Sequence, residues 1–99
     1  MAYAIEYSPD AVEHLDAMSA RDQRRVLDSV ERQLSHEPRV ETRNRKPMRP
    51  NPLAPWELRI GDLRVYYDVM DAPEAVVQVL AVGIMRRNRI WIGGVEFEL

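Results

Sequence analysis

The chain has 99 residues, no cysteine and a formal net charge of −2. That length leaves room for a single small domain over residues 1–99 with a modest core. The missing cysteines exclude disulfides and thiolate metal sites, and nothing in the composition calls for a cofactor or a metal. No apolar run approaches the ~18 residues a membrane-spanning helix needs. The stretch from Met1 to Asp10 lacks a basic segment and a long apolar one, so no signal peptide and a cytoplasmic location are expected. The charge is uneven: residues 1–37 hold four basic and eight acidic side chains, whereas residues 38–92 hold ten basic and six acidic. A basic second half can meet a polyanion although the whole chain is acidic. The net acidity argues against strong non-specific nucleic-acid binding.

In chain order, Tyr3-Ala-Ile-Glu-Tyr-Ser8 alternates as a short strand does. Ser8 can cap a following helix, and Pro9 suits its first position. Ala11, Leu15 and Met18 then recur at helical spacing. Ser19 opens a second helix, with Asp22 three residues on in a capping-box-like position. Val26, Leu27, Val30 and Leu34 form its apolar stripe, and Pro38 ends it. Residues 37–55 contain five prolines and no apolar period, so a basic loop is expected there, carrying Arg39, Arg43, Arg45, Lys46 and Arg49. Trp56–Ile60 and Leu63–Val69 alternate on either side of Gly61-Asp62, which reads as a hairpin with a type II′ turn. Ala75–Val82 is a near-continuous apolar run and reads as a central strand closed by Gly83. Ile90-Trp91-Ile92 is a candidate last strand. Gly93-Gly94 is expected to free a tail, Val95 to Leu99, in which Phe97 and Leu99 serve packing or a homodimer contact.

This order predicts an α+β domain: a helical hairpin packed on one face of an antiparallel sheet of about four strands. The other face is expected to be partly open. A two-residue turn also sets the hairpin register: Ile60 with Leu63, Arg59 with Arg64, Leu58 with Val65, Glu57 with Tyr66 and Trp56 with Tyr67. Alternation then puts Trp56, Leu58, Ile60, Leu63, Val65, Tyr67 and Val69 on the helix side, and Glu57, Arg59, Arg64, Tyr66 and Asp68 on the other. Arg59 and Arg64 face each other there, and like charges in that position destabilise a sheet. Two things can offset the repulsion: the neighbouring Glu57, or an external phosphate held by arginine forks.

Lys46-Pro-Met48, the block Trp56-Glu-Leu-Arg-Ile-Gly-Asp-Leu-Arg-Val-Tyr-Tyr-Asp-Val69, and Leu80-Ala-Val-Gly83 followed by Arg86-Arg-Asn-Arg89 resemble the RelE/ParE superfamily of toxins from type II toxin–antitoxin systems. The resemblance spans nearly the whole chain and implies a RelE-like α+β fold and a cognate antitoxin as partner. It implies one of two targets. RelE-like members cut mRNA in the ribosomal A site, with ribosome and mRNA as partners. ParE-like members poison DNA gyrase. The hairpin block and Ile-Trp-Ile-Gly-Gly lie closer to the RelE side, which favours a ribosome-dependent endoribonuclease that inhibits translation. A gyrase poison and an inactive fold that only binds its antitoxin are the alternatives.

RelE chemistry attacks a phosphate with the neighbouring ribose 2′-oxygen, and so needs a base, an acid and cations. The resemblance places the family's hairpin cations on Arg59 and Arg64 and puts Glu57 at a position where a carboxylate can act as base. The C-terminal cation falls on Met85 or Arg86, with Arg86 or Arg87 substituting if it is Met85. The C-terminal tyrosine falls on Trp91, whose indole donates a hydrogen bond and does not exchange protons near neutral pH. The implied catalytic set is Glu57, Arg59, Arg64 and Arg86, and the implied RNA-binding set is Arg45, Lys46, Tyr66, Arg87, Arg89 and Trp91. Tyr66 is expected to face out, to stack or to donate a proton. Trp56 is expected to anchor the core, and His14 and His36 to be structural or solvated.

Overall fold

A computed structural model describes residues 2–98. Strand β1 (Ala4–Tyr7) leads into helix α1 (Pro9–Asp16), and helix α2 (Ala20–Leu34) follows. Both helices start as their sequences dictate. The Ser8 hydroxyl accepts from the Ala11 N–H and the Ser19 hydroxyl from the Asp22 N–H, each at 3.1 Å. Each serine stays extended while satisfying a donor that the first turn leaves unpaired. Leu15, Val26, Val30 and Leu34 project from the helices onto Leu58, Val65, Tyr67, Val77 and Val79 of the sheet, forming the main core. Burying each such side chain contributes about 1.5–3 kcal/mol. Trp56 joins this core and stacks on Tyr67, with ring centroids 6.1 Å apart. No helix among the described residues is long and apolar enough to cross a membrane.

The α+β class holds, but the sheet has seven strands rather than about four. After the helices come β2 (Arg45–Pro47), β3 (Trp56–Ile60), β4 (Leu63–Met70), β5 (Val76–Arg86), β6 (Arg89–Ile92) and β7 (Val95–Phe97). They lie in the order β2-β3-β4-β5-β6-β7 with antiparallel pairing, while β1 pairs in parallel with the first half of β5. The β3–β4 register is the one the two-residue turn requires, with Arg59 opposite Arg64 and Glu57 opposite Tyr66. Gly61 has φ +59° and Asp62 does not enter positive φ, as a type II′ turn demands.

Three expectations need correction. The proline-rich stretch is not all loop: between Asn44 and Met48 it supplies β2, whose Lys46 pairs with Glu57 at the sheet edge, where proline is tolerated. The long strand does not stop at Gly83 but runs to Arg86, because β6 pairs alongside it from Gly83 onward. The tail is not free either: Gly93 and Gly94, both at positive φ, turn the chain so that Val95–Phe97 pairs with β6. Leu99, expected as a packing or dimer contact, lies outside the described residues.

Along one edge of β5, β1 covers the first half and β6 the second. Helix α1 fills the gap between them. The Ser8 hydroxyl donates to the Leu80 carbonyl at 3.1 Å, and His14 Nδ1 accepts from the Val82 N–H at 3.2 Å. Two backbone groups that no strand reaches are thereby satisfied.

Candidate functional site

The face of the sheet away from the helices carries a groove of about 780 Å³. Register builds it: Lys46 lies beside Glu57 and Glu57 beside Tyr66, while Arg59 lies beside Arg64. Arg49 reaches the groove from the proline-rich stretch and Arg89 from the β5–β6 turn. Glu57 is 9% exposed, and Arg59 Nε donates to its Oε1 at 2.8 Å. Arg64 bends back to the hairpin turn, where Nη1 donates to the carbonyls of Gly61 at 2.7 Å and Leu63 at 2.9 Å. The facing arginines are therefore held apart by acceptors within the chain.

The implied site residues do not all meet here. Arg45 pairs with Leu58, so its side chain belongs to the helix side. There its guanidinium donates to the Gln33 carbonyl, near the end of α2, and to the Val40 carbonyl at 2.9 Å. Tyr66 sits on the groove side, as parity requires, but it is wholly buried instead of facing solvent. Ala54, Leu53 and Met48 from the preceding stretch, with Ile90 and Ile92 from β6, form a second apolar cluster around it. Its hydroxyl is buried without a hydrogen-bond partner among the described residues. Burial first, and the Glu57 carboxylate second, hold its pKa above the ordinary tyrosine value.

Arg86, Arg87 and Trp91 lie on the other side, in a cavity of about 990 Å³ between the α1–α2 junction and the β5–β6 hairpin. His14 lines that cavity too, while Arg89 at the hairpin tip borders both spaces. Met85, next to Arg86, lines the groove instead. Alternation along β5 thus separates the two candidates for the C-terminal cation, and the groove receives the methionine. Arg49 was not singled out as a site residue, because nothing local shows that a proline-rich segment folds back beside β3.

A family model described as the ParE toxin of type II toxin–antitoxin systems, parDE, matches residues 5–89. The chain belongs to the ParE toxin family. Trp91 and β7 lie beyond the matched stretch. Among solved structures, the RelBE2 toxin–antitoxin complex from Mycobacterium tuberculosis is similar, with a TM-score of 0.69 and 23% identity over 86% of this chain and 100% of that one. That likeness shows a shared fold. No curated protein sequence matches the chain significantly. The chain is thus a toxin of the ParE family of type II toxin–antitoxin systems, and its two helices pack on one sheet in the fold it shares with that solved structure.

For this ParE-family toxin the groove geometry gives a stability prediction. Arg59→Ala leaves Glu57 nearly buried without its cation, whereas Arg64→Ala removes bonds to turn carbonyls only. Because Arg59 is about half exposed (49% of its side chain), solvent screening limits the pair to about 1 kcal/mol. Thermal denaturation of Arg59→Ala, Glu57→Gln and the double variant is expected to show coupling of that size. Arg64→Ala is expected to stay within about 0.5 kcal/mol of the parent. Additive losses from Arg59→Ala and Glu57→Gln would contradict the pairing.

Proposed function

We propose that residues 1–99 act as one toxin domain that poisons DNA gyrase by binding, and that a cognate antitoxin neutralises it. The carrying observation is the split of the chemical groups. Glu57, Arg59 and Arg64 line the groove, while Arg86, Arg87 and Trp91 line the cavity across the sheet. An in-line attack on a phosphate needs base, acid and cations around one atom. A poison that acts by binding needs no such convergence. The match to the ParE family supports the same reading, and the similarity to a solved toxin–antitoxin complex supports an antitoxin partner. On this reading the toxin acts in the cytoplasm.

One observation favours mRNA cleavage as a second reading. Lys46, Arg49, Arg59, Arg64 and Arg89 surround Glu57 in one groove, a set of cations suited to crowded phosphate charge with a carboxylate in reach. In that reading Glu57 takes the proton, Arg59 and Arg64 hold the phosphate, and ribosome and mRNA are partners.

Pulse-labelling after induction separates the two. The gyrase reading expects DNA synthesis to fall before protein synthesis, and the purified toxin to inhibit supercoiling by gyrase. Early arrest of translation, with new 5′ ends inside mRNAs, would replace it with the cleavage reading. Co-expression of the product of the adjacent reading frame is expected to abolish either effect.

A further inference from the structure

A smaller groove, of about 510 Å³, follows the stretch of β5 edge that β1 and β6 leave uncovered. One side of it is apolar, formed by Leu53, Leu80, Val95 and Phe97, and Val95 is 59% exposed. The other side is helix α1. Asp10, Glu13, His14 and Ala17 face the groove together, because residues three and four apart share one side of a helix. Helix α1 holds three carboxylates and no lysine or arginine. Among the described residues, neither Asp10 nor Glu13 has a cation within ion-pair distance.

The opposite charge adjoins this groove. His14, Ala17 and Gly93 line both the groove and the larger cavity on the helix side, and Arg86 and Arg87 line that cavity beyond them. Both arginines are exposed at the tip of the β5–β6 hairpin, whose turn, Arg87-Asn88, has φ of +54° and +65°. Among the described residues, neither has a carboxylate within ion-pair distance. Arg89 beside them is engaged by Glu96 at 2.7 Å, and Asp22 in the cavity lining is engaged by Arg25 at 3.0 Å. Small residues stand between the two hollows. Ala17, Gly93 and Gly94 are exposed. A Cβ at Gly93 would lie 3.2 Å from His14 Cδ2, whereas one at Gly94 would meet nothing within 4 Å.

A surface ordered as acid, small residues and base is complementary to itself. Turned about a two-fold axis through the small residues, the acids of one copy meet the arginines of the other, and every contact is made twice. The apolar parts match as well, since the aliphatic stems of the arginines suit the wall of Leu53, Val95 and Phe97 while their heads reach the carboxylates. A net charge of −2 sets little repulsion between copies. Other occupants fit less well. Asp10 and Glu13 repel a polyanion from the groove, and Arg86 and Arg87 repel a basic partner from the adjoining cavity.

We infer that the chain self-associates through this surface as a two-fold dimer. Asp10 and Glu13 of each copy lie against Arg86 and Arg87 of the other, with Ala17, Gly93 and Gly94 at the axis. Phe97, expected from the sequence to serve packing or a homodimer contact, lies in the wall of this interface. The inference does not depend on which target the toxin attacks.

The test is sedimentation velocity of the purified full chain, without gyrase, ribosome or antitoxin, from micromolar to millimolar concentration. A dimer that weakens as salt rises is expected. Asp10→Lys with Glu13→Lys, and separately Arg86→Glu with Arg87→Glu, are each expected to weaken self-association about tenfold or more, because like charges then face each other twice. An equimolar mixture of the two double variants is expected to restore association to near the parent's, now between unlike chains, which a fluorescent label on one of them identifies. Restoration excludes misfolding as the cause of the separate losses. The quadruple variant, with all four changes in one chain, is expected to pair with itself again. A parent that stays monomeric at every concentration would overturn the inference. So would a dimer indifferent to both double variants, or a mixture that fails to associate.

Discussion

Gly83→Ala is expected to be among the most damaging single-methyl additions to this protein. Gly83 does not have positive φ, so backbone propensity alone gives a gain: alanine in a strand is ordinarily the better residue by about 0.5–1 kcal/mol. Packing reverses the sign. A Cβ at position 83 would lie 2.8 Å from Ile92 Cγ1 and 2.8 Å from the Trp91 carbonyl oxygen. Ile92 is 3% exposed and packed in the cluster around Tyr66, so it has little room to turn aside. The Trp91 oxygen is backbone in β6 and moves only if the strand moves. The Gly83–Ile92 pair is where β6 joins β5, so admitting the methyl means opening the hairpin at its inner end. Overpacking of this kind costs about 1–3 kcal/mol, which in a domain of this size lowers the thermal midpoint by about 4–8 °C per kcal/mol. Faster amide exchange over Ile84–Arg86 is expected with it. A midpoint equal to or above the parent's would show that β6 is not held this closely.

The same glycine shows where local reading of the sequence stops. Gly83 follows an apolar run and looks like a stop signal. Its actual reason is a neighbouring strand that approaches from the far side. The β3–β4 hairpin was legible because its pairing is local: a two-residue link fixes every partner, and alternation then sorts both faces. The same arithmetic applies to Arg87-Asn88 and Gly93-Gly94. An arginine at positive φ conceals the first turn, and the second resembles a flexible link. The parallel pairing of β1 with β5 joins residues about 72 apart (Ala4 with Val76), and no local pattern encodes it. A register shift lies between Tyr66 and Tyr67, with Ala81 and Val79 as their partners. It leaves Leu80 between them and changes the parity of everything beyond it on β5.

The candidate site was legible to a similar depth. Glu57, Arg59 and Arg64 share a face because their register is local, and Lys46 joins them through β2. The placement of Arg45 followed from that same pairing once β2 existed. Arg86 and Trp91 could be placed only after the extension of β5 was known. Function was legible mainly through the order of motifs, which resembles that of the toxin superfamily. Which target the toxin attacks depends on how side chains converge, and that convergence is long-range.

Tyr66→Phe is expected to stabilise the protein, in contrast with most core substitutions. The ring is wholly buried, and its hydroxyl has no hydrogen-bond partner among the described residues. A buried hydroxyl left unsatisfied costs about 1–3 kcal/mol. Removing the oxygen leaves the ring's packing against Ala54, Ile90 and Ile92 intact. A higher thermal midpoint should result, and toxicity should survive, because a side chain sealed beneath the groove cannot stack on a base or reach a substrate. The pH dependence adds a second readout. Burial raises the pKa of Tyr66 above its ordinary value of 10, and burial likewise raises Tyr7 to about 12. A group with a raised folded-state pKa binds its proton more tightly when folded. Its contribution is fully present below the unfolded value and is lost as pH rises above about 10. Alkaline denaturation of the parent should therefore steepen above that pH, and Tyr66→Phe should make the fall shallower by removing one such group. A lower midpoint at neutral pH, or an unchanged alkaline limb, would mean that the hydroxyl has found a partner, and the accessible-tyrosine role would then return.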